Sequence, residues 1–186
     1  MRILKSLKVL LMIKVLGLDP SLRSWGMAGC TYDINGLKVM GTDIIKTKNI
    51  KSTKVKQNYS DIHSANILYV GLLDAVKSAD LICIEVPHGS QSSRAMVSYG
   101  VCVALIGVIQ TINPNIIQVS ANDVKAVVRT DKSHKPTKQE IIDWVKDKHP
   151  EAKLPTTLSA EHVCDAIVAI YAAMNTKDFK DKYAIQ

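Results

Sequence analysis

The sequence contains no C-x-x-C pair, no internal repeat and no apolar run close to the length of a membrane helix, about 20 residues. Its four cysteines lie singly inside apolar segments, at Cys30, Cys83, Cys102 and Cys164. This placement favours reduced thiols in the core over disulfides or a zinc site. We therefore expect a cytoplasmic protein with no membrane partner.

A chain of 186 residues is long enough for one domain with a core and too short for two ordinary ones. Hydrophobic residues make up 47% of it, which fits a folded globule rather than a disordered polymer. The net charge of +7 favours a polyanionic partner. Ribosomal, membrane-surface and nucleic-acid-binding proteins share this charge balance, so charge alone does not choose among them.

The opening segment, MRILKSLKVLLMIK, has no acidic residue. Its lysines interrupt the apolar core that a secretory signal needs, and no small-residue cleavage site precedes the first strand. We interpret residues 1–12 as an N-terminal extension, or as the result of a misassigned start with Met12 as the functional one. A mitochondrial presequence is the alternative.

Short apolar runs that end at turn residues predict strands, and apolar residues at helical spacing predict helices. Asn35-Gly36 between two such runs predicts a hairpin. The predicted strands are 13–19, 24–32, 37–45, 81–86 and 116–119. The predicted helices are 58–79, 94–112, a short one carrying Lys125, one from Thr137 to about Lys148, and 163–174. The candidate N-caps are Ser120, Asn122, Thr137 and Ser159, with Thr137 and Glu140 in the capping-box pattern.

This order of elements predicts the architecture. A helical crossover after the hairpin strands should place strand 81–86 parallel to one of them. We therefore predict an α/β fold with a five-stranded mixed sheet, three antiparallel strands and then two parallel ones, flanked by helices. It forms a single domain over 13–175, followed by a C-terminal tail at 176–186.

Three acids stand in apolar elements that are far apart in the sequence. Asp19 ends the first strand, Glu85 lies in LICIEVP, and Asp165 interrupts VCDAIVAIYAAM. Burying a carboxylate is costly unless a cation or hydrogen-bond donors meet it. If strand 81–86 lies beside the first strand, Asp19 and Glu85 meet at one edge of the sheet, and the last helix can bring Asp165 to it.

Such a trio suits a hard divalent cation. Mg²⁺ takes oxygen ligands and keeps several waters, so two or three carboxylates and a substrate phosphate complete a site. Two ions about 4 Å apart can activate a water and stabilise the leaving oxygen of a phosphodiester. On the last helix, Glu161 and His162 both share a face with Asp165.

Four segments resemble, in the right order, the RuvC-type Holliday-junction resolvases of the ribonuclease H-like superfamily, which has members in bacteria and bacteriophages. They are LGLDPSLRSWGMA, IEVP, VKAVVRTDKSHKPTKQEI and AEHVCDAIVA. The likeness spans residues 14–174. It implies a ribonuclease H-like fold, a homodimer, and Mg²⁺- or Mn²⁺-dependent paired nicking of four-way DNA junctions, with no small-molecule cofactor.

The resemblance also implies roles for individual residues. Asp19 and Glu85 match the first-strand and fourth-strand acids, and His162 and Asp165 match the closing pair on the last helix. Glu161 is one residue out of register, so His162 is the better fourth ligand. Lys125 and Lys138 match basic positions near the family's cleavage site, and Lys132 and Lys135 extend that patch. A solvated loop is the alternative for these lysines.

One departure concerns the aromatic residue that follows the fourth-strand acid in the family and is thought to wedge the junction open. The loop PHGSQSSRAM has none, and the only phenylalanine is Phe179. Ser90, Ser92, Ser93 and Arg94, at a helix start, could instead hold a phosphate; a flexible loop is the alternative. In the following helix, the small residues Gly100, Ala104 and Gly107 permit close packing, against a second subunit or against the chain's own sheet.

The leading hypothesis is a metal-dependent endonuclease that resolves four-way junctions. The missing aromatic residue leaves open a looser branched-DNA or flap nuclease of the same fold. A non-catalytic DNA-binding relative is a third possibility, although a pure binder gains nothing from buried carboxylates that face phosphate. Sugar-kinase and actin-like ATPases also end their first strand in Asp, but they need a second domain with a glycine-rich phosphate loop.

Overall fold

The computed structural model describes residues 12–50, 55–89, 92–156 and 159–183. The predicted N-terminal extension, apart from Met12, lies outside them. The strands are β1 Ile13–Asp19, β2 Ser24–Asp33, β3 Gly36–Lys46, β4 Leu81–Val86 and β5 Ile116–Ser120. The helices are α1 Gln57–Ser78, α2 Ser93–Ile112, α3 Ala121–Val128, α4 Lys138–Lys148, α5 Ala160–Met174 and α6 Lys177–Tyr183.

The sheet has the order β3-β2-β1-β4-β5. β1 pairs with β2, and β2 with β3, in antiparallel fashion, whereas β4 runs parallel to both β1 and β5. The predicted five-stranded mixed sheet is confirmed, including the hairpin at Asn35-Gly36. Because β4 lies directly beside β1, the carboxyl ends of these strands meet at one edge of the sheet.

Helices cover both faces of the sheet. α1 and α2 pack on one face around Leu16, Leu18 and Trp25. α3, α4, α5 and α6 pack on the other, where Val15 and Cys83 contribute from the strands. All four cysteines are buried and free, as predicted.

Two glycines allow α5 to lie unusually close to the sheet. A Cβ atom on Gly17 would lie 2.1 Å from the carbonyl oxygen of Ala166, and one on Gly26 would lie 2.2 Å from that of His162. Any larger residue at either position would push the helix away. Gly26 is the cross-strand partner of Asp19, so this contact brings the first turn of α5 over the end of β1.

The predicted helix starts agree closely with the structure. Thr137 and Glu140 form the capping box of α4. Of the two candidate caps for α3, the structure uses Ser120 and not Asn122, and Ser120 forms a second capping box with Asp123. Ser159 stands at the N-cap position of α5 with a backbone that is already helical.

The segment predicted as a C-terminal tail contributes to the core. Residues 177–183 form α6, and Phe179 on this helix is only 2% exposed. The Phe179 ring packs edge-on against Tyr32 of β2, with ring centroids 5.3 Å apart, and also contacts Tyr183. Phe179 and the partly buried Tyr183 therefore attach a helix that is otherwise mostly charged to the core.

α2 departs from the expectation that no segment could cross a membrane. It is long and apolar enough to do so, judged by length and composition alone, and only 22% of its most apolar window is buried. Its exposed side carries Met96, Val97, Val103 and Val108. The small residues Gly100, Ala104 and Gly107 are also exposed. The small residues therefore do not pack on the chain's own sheet.

Candidate active site

The candidate site lies where β1 and β4 end. Asp19 is the last residue of β1, and Glu85 lies one position beyond the Leu18–Ile84 pair that joins the two strands. Asp165 belongs to α5, the helix that Gly17 and Gly26 admit against the sheet. The structure thus brings all three predicted acids to one edge, each partly buried.

The acids influence one another electrostatically. Burial, together with the negative charges of Asp19 and Asp165, raises the pKa of Glu85 to about 8. Burial and the charge of Asp19 likewise raise the pKa of Asp165 to about 7. The positive charge of Lys125 acts on Glu85 in the opposite direction. Carboxylates that disfavour one another's ionisation are stabilised when a cation joins them.

His162 connects α5 to β1. Its Nδ1 atom lies 2.6 Å from the Oδ2 atom of Asp19, and this hydrogen bond raises the pKa of the imidazole. Its Nε2 atom lies 4.0 Å from Oε1 of Glu161. The geometry therefore favours a protonated imidazole that donates to Asp19.

Glu161 has a different partner. Its Oε1 atom accepts a hydrogen bond from Nζ of Lys138 at 2.8 Å, which raises the pKa of that ammonium group. This pair joins the first turns of α4 and α5. Lys138 was predicted to bind DNA, and its side chain is still 75% exposed while it holds Glu161.

The other predicted DNA-binding residues differ in their surroundings. Lys125 is exposed on α3, and Lys132 and Lys135 are exposed on the loop before α4. Ser92 caps α2 by accepting a hydrogen bond from the amide of Ala95 at 3.1 Å. Arg94 forms a two-point ion pair with Asp61 of α1, and Ser90 lies outside the described residues.

No protein-family model matches the chain, and neither does any curated protein sequence. The chain is similar to solved structures, however. RuvC of Thermus thermophilus, in complex with a Holliday junction substrate, matches with a TM-score of 0.65 and 15% identity, over 88% of this chain and 97% of that one.

The chain has the RuvC-type resolvase fold. Two further structures have it too. The Fowlpox virus resolvase, solved with Holliday junction DNA, matches with a TM-score of 0.54 and 13% identity, over 87% of this chain and 97% of that chain. The yeast mitochondrial Holliday junction resolvase Ydc2 matches with a TM-score of 0.54 and 8% identity, over 91% of this chain and 86% of that chain. The predicted ribonuclease H-like fold is thereby confirmed.

The residues at the candidate-site edge of the sheet include side chains of the types that bind divalent cations. Among the described residues, no group of three or more His, Cys, Asp or Glu side chains is arranged to hold a metal ion. The ligand types nevertheless fit, because Asp19, Glu85 and Asp165 supply hard oxygens and His162 a nitrogen. The roles assigned to these residues stay predictions.

Sequence reasoning missed Asp61, which binds the guanidinium groups of both Arg23 and Arg94. A signal was available in the α1 segment. The buried face of α1 is apolar at Leu68 and Leu72 but polar at Ser60 and Ser64. A helix face that changes from apolar to polar indicates that its polar half meets hydrogen-bonding partners instead of the core.

Proposed function

We propose that this protein is a divalent-metal-dependent, structure-selective DNA endonuclease that resolves four-way junctions by paired symmetric nicking. The observation that carries the proposal is the meeting of Asp19, Glu85 and Asp165 at one edge of a RuvC-type sheet. Two structures with this fold, from Thermus thermophilus and Fowlpox virus, were solved with Holliday junction DNA.

In this proposal Asp19, Glu85, Asp165 and His162 hold Mg²⁺ or Mn²⁺, as two ions. When bound, the ions supply a water nucleophile at neutral pH and stabilise the leaving oxygen of the phosphodiester. Because the pKa values of Glu85 and Asp165 are raised, binding of a cation would favour the loss of any proton that either carboxyl group carries. Ligand binding and deprotonation are therefore coupled at this edge.

His162 has two roles in this scheme. While protonated, it donates from Nδ1 to Asp19 and holds that carboxylate in a fixed orientation. To become a metal ligand it has to lose a proton, because only the neutral imidazole has a free lone pair. Asp19 thus controls how readily His162 becomes a ligand.

Basic residues on the α5 side of the sheet supply affinity for the DNA backbone. Lys125 lies close enough to Glu85 for its charge to lower the pKa of that carboxyl group. Lys132, Lys135 and Lys138 extend this surface along the loop into α4. Phosphate contacts of this kind contribute most of the binding free energy and make binding strongly dependent on salt concentration.

A second copy of the chain is the partner that we propose for the exposed face of α2. That face is uncharged from Met96 to Thr111, and the small residues Gly100 and Gly107 leave open space around them. A four-way junction has approximate two-fold symmetry, so two coordinated nicks suit a two-fold dimer.

The test uses synthetic four-way junctions, linear duplexes and flap substrates, each with Mg²⁺, Mn²⁺ or EDTA. Paired nicks near the crossover of the junction, dependent on the metal, support the proposal. Equal cutting of all three substrates would instead identify a looser branched-DNA nuclease. Junction binding without cutting in either metal would identify a non-catalytic DNA-binding protein.

A further inference from the structure

A charged cluster lies on the other face of the sheet from the lysines, at the same edge. The Asp61 carboxylate lies between two guanidinium groups. Arg94 binds both of its oxygens, and Nη2 of Arg23 lies 3.3 Å from Oδ1. The side chain of Asp61 is 7% exposed, whereas those of Arg23 and Arg94 are 34% and 44% exposed. The acid is therefore buried beneath two cations that face solvent.

Neutral side chains complete the cluster. Nη1 of Arg23 donates to Oγ of Ser64 at 2.7 Å, and Nη2 donates to Oδ1 of Asn49 at 3.3 Å. Gln57 donates to the same Asp61 oxygen at 3.1 Å. Within the described part of the chain, Asp61 is the only acid bonded to these arginines, so the cluster carries a net charge of +1.

The position of the cluster relates it to the acids. Arg23 stands in the turn after β1, just beyond Asp19, and Arg94 stands in the first turn of α2, after the loop that follows Glu85. Because β1 and β4 are parallel neighbours, both arginines lie beyond the same ends of the sheet. Asp61 on α1 joins the two segments that lead away from the candidate metal ligands.

More positive charge surrounds the Arg23 turn. The backbone amide of Thr47 donates to the carbonyl oxygen of Arg23 at 3.1 Å. The hydroxyl group of Thr47 donates to the carbonyl oxygen of Leu22 at 2.6 Å. These bonds fix the end of β3 against the turn. Lys46 and Lys48, which flank Thr47, are both exposed there.

We propose that Arg23 and Arg94, oriented by Asp61, bind backbone phosphates of a second DNA arm on the α1–α2 face of the site. This inference rests on the proposed function, because it places the scissile strand between this cluster and the Lys125–Lys138 surface. Guanidinium groups bind phosphate oxygens in a two-point geometry, and a buried carboxylate that orients them reduces the entropy lost on binding. An ion pair serving stability alone gains little from a second, solvent-exposed arginine.

The test is the salt dependence of junction binding, measured in EDTA so that no strand is cut. Arg23→Gln and Arg94→Gln should each lower the slope of log K against log salt concentration by about 1, and weaken binding by about tenfold at low salt. Lys77→Gln removes the same charge from the far end of α1, about 24 Å along the helix from Asp61 at 1.5 Å per residue, and should leave affinity nearly unchanged. Thermal unfolding of each variant reports any loss of structure.

Arg94→Lys provides a variant that keeps the charge and removes the two-point geometry. It should keep the slope and weaken binding a few-fold, even if a Gln variant proves unstable. Unchanged binding in all the arginine variants, alongside a lowered melting temperature, would show that the cluster only ties α2 to α1 and would overturn the inference. If the wild-type chain neither binds nor nicks junctions, the proposed function itself fails, which is a separate result.

Discussion

The Nδ1 atom of His162, on the last long helix, lies 2.6 Å from the Oδ2 atom of Asp19, at the end of the first strand. Gly26 makes this contact possible, because it pairs with Asp19 across the sheet and has no side chain to keep α5 away. A single hydrogen bond thus joins residues 143 positions apart in the sequence.

The bond between His162 and Asp19 should make stability depend on pH. The pKa of His162 is raised above its usual value of 6.5, so its contribution is fully present below that value. The contribution is lost as the pH rises through the folded-state pKa. His162→Ala should therefore lower the melting temperature of metal-free protein more at about pH 5.5 than at about pH 9. The exposed His63→Ala on α1 is the control, and equal losses for His162→Ala at both pH values would contradict the prediction.

Neutral substitutes for the strand acids should separate cutting from binding. Asp19→Asn and Glu85→Gln remove carboxylate ligands with little change in shape, so nicking of four-way junctions should fall at least about 100-fold. Gel-shift affinity for the same junctions in EDTA should stay within a few-fold of wild type. Asp74→Asn, an exposed acid on α1, is the matched control. Retained nicking in Glu85→Gln would remove that residue from the proposed site.

The same Glu85→Gln variant should be more stable than the wild type when metal is absent. The pKa of Glu85 rises from 4.5 to about 8 on folding, so the native state binds more protons and loses stability as the pH rises between these values. Since one pKa unit corresponds to 1.36 kcal/mol, replacing the Glu85 carboxyl group with the amide of glutamine should raise the free energy of unfolding at about pH 8 by about 1–3 kcal/mol. Urea unfolding in EDTA measures this gain, which should almost vanish at about pH 4. A destabilised variant at pH 8 would show that Glu85 is not held among other negative charges.

Charge on the exposed face of α2 should prevent subunit association. Val103 is 38% exposed in the middle of this face, and burying a glutamate there without a partner costs several kcal/mol. Val103→Glu should therefore convert a dimer to a monomer, as measured by sedimentation. Met40→Glu introduces the same charge at an exposed residue of β3 and should leave the dimer intact. A wild-type chain that is monomeric at all concentrations would contradict the dimer proposal directly.

Phe179 should account for much of the stability that α6 adds. Its side chain is buried between Tyr32 and Tyr183, so Phe179→Ala should lower the free energy of unfolding by about 3–5 kcal/mol. Phe179→Leu keeps most of the apolar volume and should cost less than about 1.5 kcal/mol. Urea denaturation of both variants provides the comparison. A loss below about 1 kcal/mol in the alanine variant would show that α6 is not docked.

The sequence by itself determined the elements from β1 to α5 and their order. Apolar periodicity predicted the five strands and the long helices. The capping-box pattern of Thr137 and Glu140 predicted the start of α4. These signals are local, because alternation and capping depend on residues a few positions apart. Asp19, Glu85 and Asp165 could be selected for the same reason, since a lone acid in an apolar element is conspicuous without any knowledge of its neighbours.

Only the tertiary structure decided which side chains meet. In the folded chain Lys138 forms an ion pair with Glu161, and Asp61 forms ion pairs with both Arg23 and Arg94. Phe179 of α6 packs against Tyr32. The tertiary structure also turned the small residues of α2 toward solvent. Each of these outcomes depends on which face of one helix meets another element. The pattern within a segment can mark a polar face, as it does in α1, but it does not identify the residues that meet that face. The identity of the partners was therefore fixed by packing across the sheet.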